Sequence, residues 1–317
     1  MDEIAGLAEF RADAAPMSAQ ARFRGRRRLA EEIAGRPLLR RLRPQRGVPG
    51  RRRRALVAAA LTLALTAVVA GSQIVGPGAS PSDARASSVL DLAADALAAR
   101  FADAPVPRPD QFVYVDVLRV AGSPEDSFVH QEWTSVDGTR TSTFRSTGAR
   151  EESGPRQPYG VDGTLLNASY QQLAQLPTDP DALLKVLRAD PFVERDLNYG
   201  GMTRDIGVWD LIRFLLEGAC PPAQQAAMFR AAARLPGISY VDEATDALGR
   251  PGEAVSLVNP RLGRTELILD RRTHAFLGER ILNESGEGSG SGSTETVQLN
   301  SAVRTVAFVD EAYQLPS

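Results

Sequence analysis

Side chains that commonly carry out catalysis or bind metals are few in this sequence and stand far apart. The chain has two histidines, His130 and His274, and one cysteine, Cys220. A zinc site needs several His, Cys or carboxylate ligands at short spacing, and no such cluster occurs, so we interpret both histidines as surface or turn residues. A single cysteine excludes an intrachain disulfide. We expect Cys220 to be a small, partly buried apolar residue, with an intermolecular disulfide in an oxidising compartment as the alternative.

Sequence motifs that mark the common enzyme classes are also absent. The chain contains no G-x-S-x-G elbow, no S-x-x-K, no H-E-x-x-H and no glycine-rich phosphate loop. Nothing in it therefore indicates a catalytic residue, a cofactor site or a metal site. The sequence predicts a non-enzymatic protein.

Five aromatic residues could instead bind an apolar ligand. Phe112, Tyr114 and Trp133 stand on predicted strands, and Trp209 and Phe214 stand in one predicted helix. A ligand pocket is usually lined by such side chains, so these five could form an exterior cleft between sheet and helices. The alternative is that they are ordinary core residues.

The region that holds these aromatic residues, 110–317, has strands first, then helices, and then a second run of strands. We expect strands at residues 111–120, 128–136, 139–145, 237–243, 253–259, 264–270, 275–282 and 301–309. We expect helices at residues 181–189, 207–218 and 222–235. We expect loops at residues 146–164 and 284–294. This order predicts an exterior α+β domain with an antiparallel sheet covered on one face by helices.

Residues 76–109 precede that domain. Apolar residues recur at helical spacing between residues 83 and 101, and Pro105, Pro107 and Pro109 follow. We interpret this stretch as a juxtamembrane helix followed by a proline-rich linker.

Residues 51–75, RRRRALVAAALTLALTAVVAGSQIV, contain the longest apolar stretch of the chain. A helix over residues 55–75 would be about 31 Å long, close to the thickness of the hydrocarbon layer of a bilayer, about 30 Å. A core helix would normally have a polar face, and a cleaved signal would normally stand at the very N-terminus. We therefore predict a single transmembrane helix, with export through a twin-arginine signal as the alternative.

The charge distribution orients this helix. Residues 1–54 have fifteen arginines and six carboxylates, and the rest of the chain has a net charge of −11. Arg51, Arg52, Arg53 and Arg54 lie directly before the apolar stretch. The positive-inside rule then places the N-terminus in the cytoplasm and the C-terminal domain outside the cell membrane.

The basic segment 1–50 has two short helical patterns with few large apolar residues. Such a segment cannot enclose a core, so it either lies against anionic lipid or folds on a cytoplasmic partner. No DNA-reading motif is present, and we expect no nucleic acid as a partner. The candidate docking residues are Leu7, Phe10, Phe23, Leu29 and Ile33.

Four phrases of the sequence resemble a known family. They are MDEI…FRAD at the start, LPTDPDALL at 176–184, the PP-helix-LPGI junction at 221–238, and ELILD…LGER at 266–280. They are similar to an uncharacterised family of actinobacterial single-pass membrane proteins, whose genes often neighbour those of extracytoplasmic-function sigma factors. RRTHAF at 271–276 departs from the family, which usually has a Pro and a Thr-Gly turn there.

The order of elements is also similar, more distantly, to the half-barrels of lipoprotein carriers and of periplasmic sensors that modulate anti-sigma factors. These resemblances imply a membrane-anchored regulator or sensor with a sigma factor as its cytoplasmic partner and a lipid or protein ligand outside. The alternative is a membrane-tethered module that binds lipid or lipoprotein without a cytoplasmic partner.

Overall fold

The computed structural model describes residues 80–102, 106–284 and 295–316. The basic segment 1–50, the predicted membrane helix at 51–75, Arg51, Arg52, Arg53, Arg54 and the docking candidates Leu7, Phe10, Phe23, Leu29 and Ile33 lie outside the described residues. Within the described ranges, no helix is long and apolar enough to cross a bilayer.

Nine strands form one sheet in the described part of the chain, and every adjacent pair is antiparallel. The strand order is β4-β3-β2-β1-β9-β8-β7-β6-β5. The first four strands are β1 (Phe112–Val120), β2 (Ser127–Ser135), β3 (Thr143–Gly148) and β4 (Glu152–Pro155). The other five are β5 (Ser239–Thr245), β6 (Pro251–Asn259), β7 (Gly263–Leu269), β8 (Phe276–Glu284) and β9 (Glu295–Val309).

The described helices are α1 (Pro81–Arg100), α2 (Tyr170–Leu173), α3 (Pro180–Arg188), α4 (Pro191–Asp196), α5 (Arg204–Glu217) and α6 (Pro222–Ala232). The main hydrophobic core lies between these helices and one face of β6 and β7. Trp209 of α5 is fully buried there, and its indole N–H donates to the Thr265 hydroxyl on β7 at 2.8 Å. The predicted α+β class, with an antiparallel sheet and helices on one face, is confirmed.

Helix α1 is part of this core. Ser80 caps its first turn: the Asp83 amide donates to the Ser80 hydroxyl at 3.2 Å, and the Asp83 carboxylate accepts from the Ser80 amide at 3.0 Å. Leu90 is fully buried, and the helix packs against α6 and β5. The compact domain therefore includes this helix, which the sequence assigned to a separate juxtamembrane segment at 76–109. The reason is its apolar stripe, which only the rest of the domain can bury.

Strand β9 joins two halves of the sheet in a staggered manner. Its residues 295–300 pair with β8, and its residues 300–309 pair with β1, so the two pairings share only Asn300. Just beyond Asn300, the backbone of β8 at Gly278 lies against the backbone of Ser301. We call this place the seam.

The turn between β5 and β6 closes the seam from one side. The Arg250 guanidinium donates to the carbonyl oxygens of Leu277, at 3.0 Å, and of Val303, at 3.1 Å. The fully buried Asp246 holds that arginine through a 2.5 Å hydrogen bond. Arg250 thereby supplies a hydrogen-bond donor to a backbone carbonyl of each of the two strands, β8 and β9.

Several short elements differ from the sequence prediction. Strand β3 begins at Thr143 and not at residue 139, because a seven-residue loop follows Ser135, with Gly138 at φ +78°. Strand β4 forms inside the predicted loop 146–164, and helices α2 and α4 were not predicted. Strand β4 and helices α2 and α4 have only four to six residues, and their sequences show no clear hydrophobic period.

The close approach of β8 and β9 at the seam predicts that a side chain at Gly278 would destabilise the fold. A Cβ atom at this position would lie 2.3 Å from the Ser301 carbonyl oxygen, which is backbone and cannot move aside. We expect Gly278→Ala to lower the free energy of unfolding by about 2 kcal/mol or more, as overpacking does. Gly200→Ala, where nothing lies within 4 Å, is the control and should change it by less than about 0.5 kcal/mol. Denaturant unfolding measures both, and equal effects would contradict the close crossing of the strands.

Candidate functional site

A cavity of about 280 Å³ lies between the sheet and the structures that cover its first half. Its floor is formed by β1 and β2, and its wall by the C-terminal end of α5. Its roof is formed by side chains from residues 156–173. We call this whole range the cover segment. This volume is close to the lower end of the range for small-molecule sites, about 300 Å³.

One side of the cavity carries charged groups that form two ion pairs. Arg119, at the end of β1, pairs with Glu217 at the C-terminal end of α5. Arg156 of the cover segment pairs with Glu132 on β2 at 2.9 Å. Both pairs join elements that are far apart in sequence, so they position the helix end and the cover segment over the sheet.

The Glu132 carboxyl is held in its charged form. Burial alone would raise its pKa, but the His130 ring at 3.9 Å, the Arg156 guanidinium and the Thr134 hydroxyl at 2.7 Å together hold the pKa below its ordinary value. A carboxylate with a lowered pKa is a weak general base. Glu132 is therefore better suited to binding a cation than to accepting a proton.

The other side of the cavity is apolar. It is formed by side chains of β1, of the cover segment and of α5, namely Val115, Val117, Leu165, Leu166, Phe214 and Leu215. Phe214 packs edge-on against Phe192 of α4, with ring centroids 5.9 Å apart. The cavity thus combines an apolar wall with a small number of charged groups, which is the usual composition of a binding pocket.

The cover segment is held in place by hydrogen bonds from a few side chains. Asn167 accepts from the Tyr159 amide at 2.7 Å and donates to the Tyr159 carbonyl oxygen at 3.0 Å. Arg156 donates to the Leu166 carbonyl oxygen at 2.8 Å. The Thr164 hydroxyl donates to Asp190 at 2.9 Å, which ties the segment to the start of α4. These contacts define the roof without filling the space beneath it.

A serine, a histidine and a glutamate come together beside the cavity. The Ser146 hydroxyl is 3.0 Å from Nδ1 of His130, and Nε2 of His130 is 3.9 Å from Glu132. Ser146 is buried and does not line the cavity. A nucleophile must reach the substrate, and the base must be oriented by a close hydrogen bond; neither condition is met, so this trio is not arranged for nucleophilic catalysis.

The Arg119–Glu217 pair is one end of a buried polar network on α5. Asp210, Arg213 and Glu217 lie on one face of this helix, at spacings of three and four residues. Asp210 accepts from Asn259 on β6 at 2.5 Å, Arg213 pairs with Glu279 on β8, and Glu217 accepts from Ser301 on β9 at 2.5 Å. The charged face of α5 therefore crosses the sheet from β6 to β1, over the seam.

The buried carboxyls of this network hold protons more readily than usual. Burial raises the pKa of Asp210 and of Glu279, and the charge of Arg213 offsets part of that effect at both sites. The neighbouring Glu217 charge raises the pKa of Glu279 further. Arg213, only 1% exposed, is the cation on which both carboxyls depend.

The five aromatic residues, for which the sequence left a shared cleft and ordinary core as alternatives, lie in three different places. Phe112, Tyr114 and Trp133 form a small cluster with Val309, on the face of β1 opposite to the cavity. Trp209 lies in the main core. Phe214 alone lines the cavity, so as a set these residues form no single cleft.

The two histidines and the cysteine have different surroundings. His130 lines the cavity, whereas His274 lies in the turn before β8 with φ +53° and its Nδ1 3.4 Å from Glu253. Cys220 is buried, and burial raises the pKa of its thiol. Among the described residues, no group of three or more His, Cys, Asp or Glu side chains could hold a metal ion.

The charged residues of the cavity were not predicted as site residues. Arg119 and Glu217 are 98 residues apart, and only the fold brings them together. On β2, His130 and Glu132 line the cavity, and Gln131 and Trp133 lie on the opposite face. Both faces carry polar residues, so the sequence does not show which face is inside.

The buried network predicts that loss of Arg213 would destabilise the fold, and that the effect would depend on pH. Arg213→Met leaves Asp210 and Glu279 buried without their cation, so we expect the free energy of unfolding to fall by about 3–5 kcal/mol at pH 8. A raised pKa means that the folded state binds the proton more tightly, so the contribution of these two carboxyls to stability is largest below their ordinary pKa, about 4, and falls as the pH rises through the raised values. The deficit of the variant should therefore be smaller at pH 5.5 than at pH 8.

The control is Arg234→Met, which removes an exposed ion pair with Asp181. It should cost at most about 1 kcal/mol at either pH. Denaturant unfolding at the two pH values measures all three proteins. A deficit for Arg213→Met that equals the control, or that does not change with pH, would contradict the assigned role of Arg213.

No family model matches the chain, and no curated protein matches it, so the family resemblance stays an expectation. A structure of the Pseudomonas aeruginosa MucA/MucB complex is similar at 15% identity and a TM-score of 0.28, over 74% of this chain and 59% of that one. A crystal structure of MucB is similar at 17% identity and a TM-score of 0.28, over 76% of this chain and 62% of that one. The chain thus spans about three-fifths of the length of these structures.

Proposed function

We propose that this chain is a non-enzymatic, membrane-anchored regulator or sensor. Its exterior domain binds a ligand in the cavity beneath the cover segment, and residues 1–50 contact a cytoplasmic protein, a sigma factor being the candidate partner. The observation that carries the proposal is the cavity itself: it has an apolar wall and charged groups, and it lies at the end of a helix that crosses the sheet.

The arrangement of charges in the cavity supports binding and not catalysis. Glu132 and Glu217 are both ion-paired with arginines, so neither carboxylate is available as a free base. Ser146, which lies next to His130, is buried and does not line the cavity. These groups are suited to recognising a charged ligand that is neither cleaved nor transferred.

Filling the cavity should remove its ligand. Ala168 lines the cavity and is partly exposed to it, so the side chain of Ala168→Trp would occupy space that a ligand needs. We expect at least one small molecule to co-purify with the wild-type chain and to be depleted by about tenfold or more in Ala168→Trp, which corresponds to about 1.4 kcal/mol. Organic extraction of the purified full chain followed by mass spectrometry measures this.

Ala98→Trp is the matched control, because Ala98 is exposed on α1 and does not line the cavity. It should retain the wild-type amount of the molecule. If no molecule co-purifies with the wild-type chain, or if both variants retain it equally, the cavity is not the binding site.

The alternative is a membrane-tethered module that binds lipid or lipoprotein. Unlike the regulator, it has no cytoplasmic partner for residues 1–50. If residues 1–34 dock on a partner, their few apolar side chains carry the contact, since exposed arginines alone give weak, salt-sensitive attraction. Phe23→Ala with Leu29→Ala should then reduce capture of a sigma factor by about tenfold or more. A pull-down with residues 1–54 as bait, with identification of bound proteins by mass spectrometry, measures the effect.

Arg24→Ala with Arg28→Ala is the control for charge. Its effect on capture should be seen at low salt and disappear at high salt. If no sigma factor is captured, or if capture is lost in salt and does not respond to the apolar substitutions, the cytoplasmic partner is excluded and the tethered module is favoured.

A further inference from the structure

The cavity has an excess of positive charge that its own carboxylates do not neutralise. Three arginines line it, Arg119, Arg150 and Arg156, and two carboxylates, Glu132 and Glu217. Each carboxylate is paired with one arginine, which leaves Arg150. In the described part of the chain Arg150 has no carboxylate partner, and its guanidinium lies 4.9 Å from the ring centroid of Phe128.

Arg119 contributes an unused donor. Its terminal nitrogen pairs with Glu217, but its Nε is buried and has no hydrogen-bond acceptor. A buried donor without an acceptor is costly, and a charged acceptor gives the strongest hydrogen bond to a guanidinium. An oxygen with negative charge would be the strongest acceptor for this donor.

The rest of the cavity determines what must be attached to that oxygen. Val115 and Val117 form the floor beside Arg119, and Phe214 and Leu215 form the adjacent wall. These side chains offer no hydrogen-bonding groups, so they favour an alkyl or similar apolar chain.

The geometry points to an anionic amphiphile as the ligand: its acidic head binds Arg119 and Arg150, and its apolar chain lies against Val115, Val117 and Phe214. This inference rests on the proposed function, because it requires that the cavity is the binding site. Beyond the proposed function, it specifies that the ligand is anionic and that Arg119 and Arg150 select for its charge. The Arg156–Glu132 pair lies beside the head group and holds the cover segment over it.

Four probes separate the parts of this proposal. Octyl phosphate has both the anionic head and the chain, inorganic phosphate has the head alone, octyltrimethylammonium has the opposite charge, and octyl glucoside has none. The protein is the full chain in phosphatidylcholine nanodiscs, and calorimetric titration of empty nanodiscs is subtracted. We expect octyl phosphate to bind at least about tenfold more tightly than each of the other three, since one charge-assisted contact or one buried chain accounts for at least that factor.

Substitutions test the two arginines. Arg150→Gln removes a charge that has no ion-pair partner, so the fold should be unaffected, and octyl phosphate should bind about tenfold more weakly. Arg119→Gln should weaken binding at least as much, although it also leaves Glu217 without its cation. Arg272→Gln is the matched control, because Arg272 is exposed in the turn before β8 and does not line the cavity, and binding should be unchanged.

The outcomes distinguish this inference from the proposed function. If octyltrimethylammonium or octyl glucoside binds as tightly as octyl phosphate, the cavity is a binding site but anion selection is wrong. If inorganic phosphate binds equally well, the ligand is a free small anion, and the inferred requirement for an apolar chain is wrong. Unchanged binding of octyl phosphate by Arg150→Gln would also overturn the inference. If no amphiphile binds, the proposed binding function fails together with the inference.

Discussion

The structure depends on the burial of charge between helix α5 and the sheet. A helix that packs on a sheet usually buries an apolar stripe, but α5 also buries Asp210, Arg213 and Glu217. Taking charges out of water is unfavourable unless partners compensate for the lost hydration. Each of these side chains has a partner on a different strand, which fixes the position of the helix along and across the sheet. A purely apolar interface would tolerate sliding more easily, because hydrophobic contact has no direction.

This constraint also explains where the cavity lies. The C-terminal end of α5 is the negative end of the helix dipole, so Glu217 would be unfavourable there without a cation. Arg119 on β1 supplies that cation and draws the helix end over the first half of the sheet. Helix α5 ends at Gly218, and Gly218 and Ala219 line the cavity beside β1. The cover segment lies over β1 and β2 and is held by short elements and side-chain hydrogen bonds. The cavity is the space between this segment and the two strands.

The sequence predicted the α+β class and eight of the nine strands because their apolar and β-branched residues recur with a clear period. Helix α1 was predicted as a helix, but its inclusion in the core was not, since an apolar stripe does not say what will cover it. The cavity was not predicted either. Arg119, Glu132, Arg156 and Glu217 each resemble an ordinary surface charge in the sequence, and only the pairing of distant strands and helices gives them a common location. The aromatic residues were easier to notice, but most of them are core residues.

The central position of β9 has a consequence for the kinetics of folding. Strand β1 pairs on one side with β2, its neighbour in sequence, but on the other side with β9, whose paired residues lie 180 to 197 positions further along the chain. Folding slows as contacting residues become more distant in sequence, because loop-closure entropy is lost before the contacts form. Until β9 is in place, β1 and β8 both have open edges, and such edges can pair with other chains. The nascent domain is therefore exposed to self-association for longer than a sheet of sequential hairpins would be, and it would benefit from a chaperone that shields strand edges during this interval.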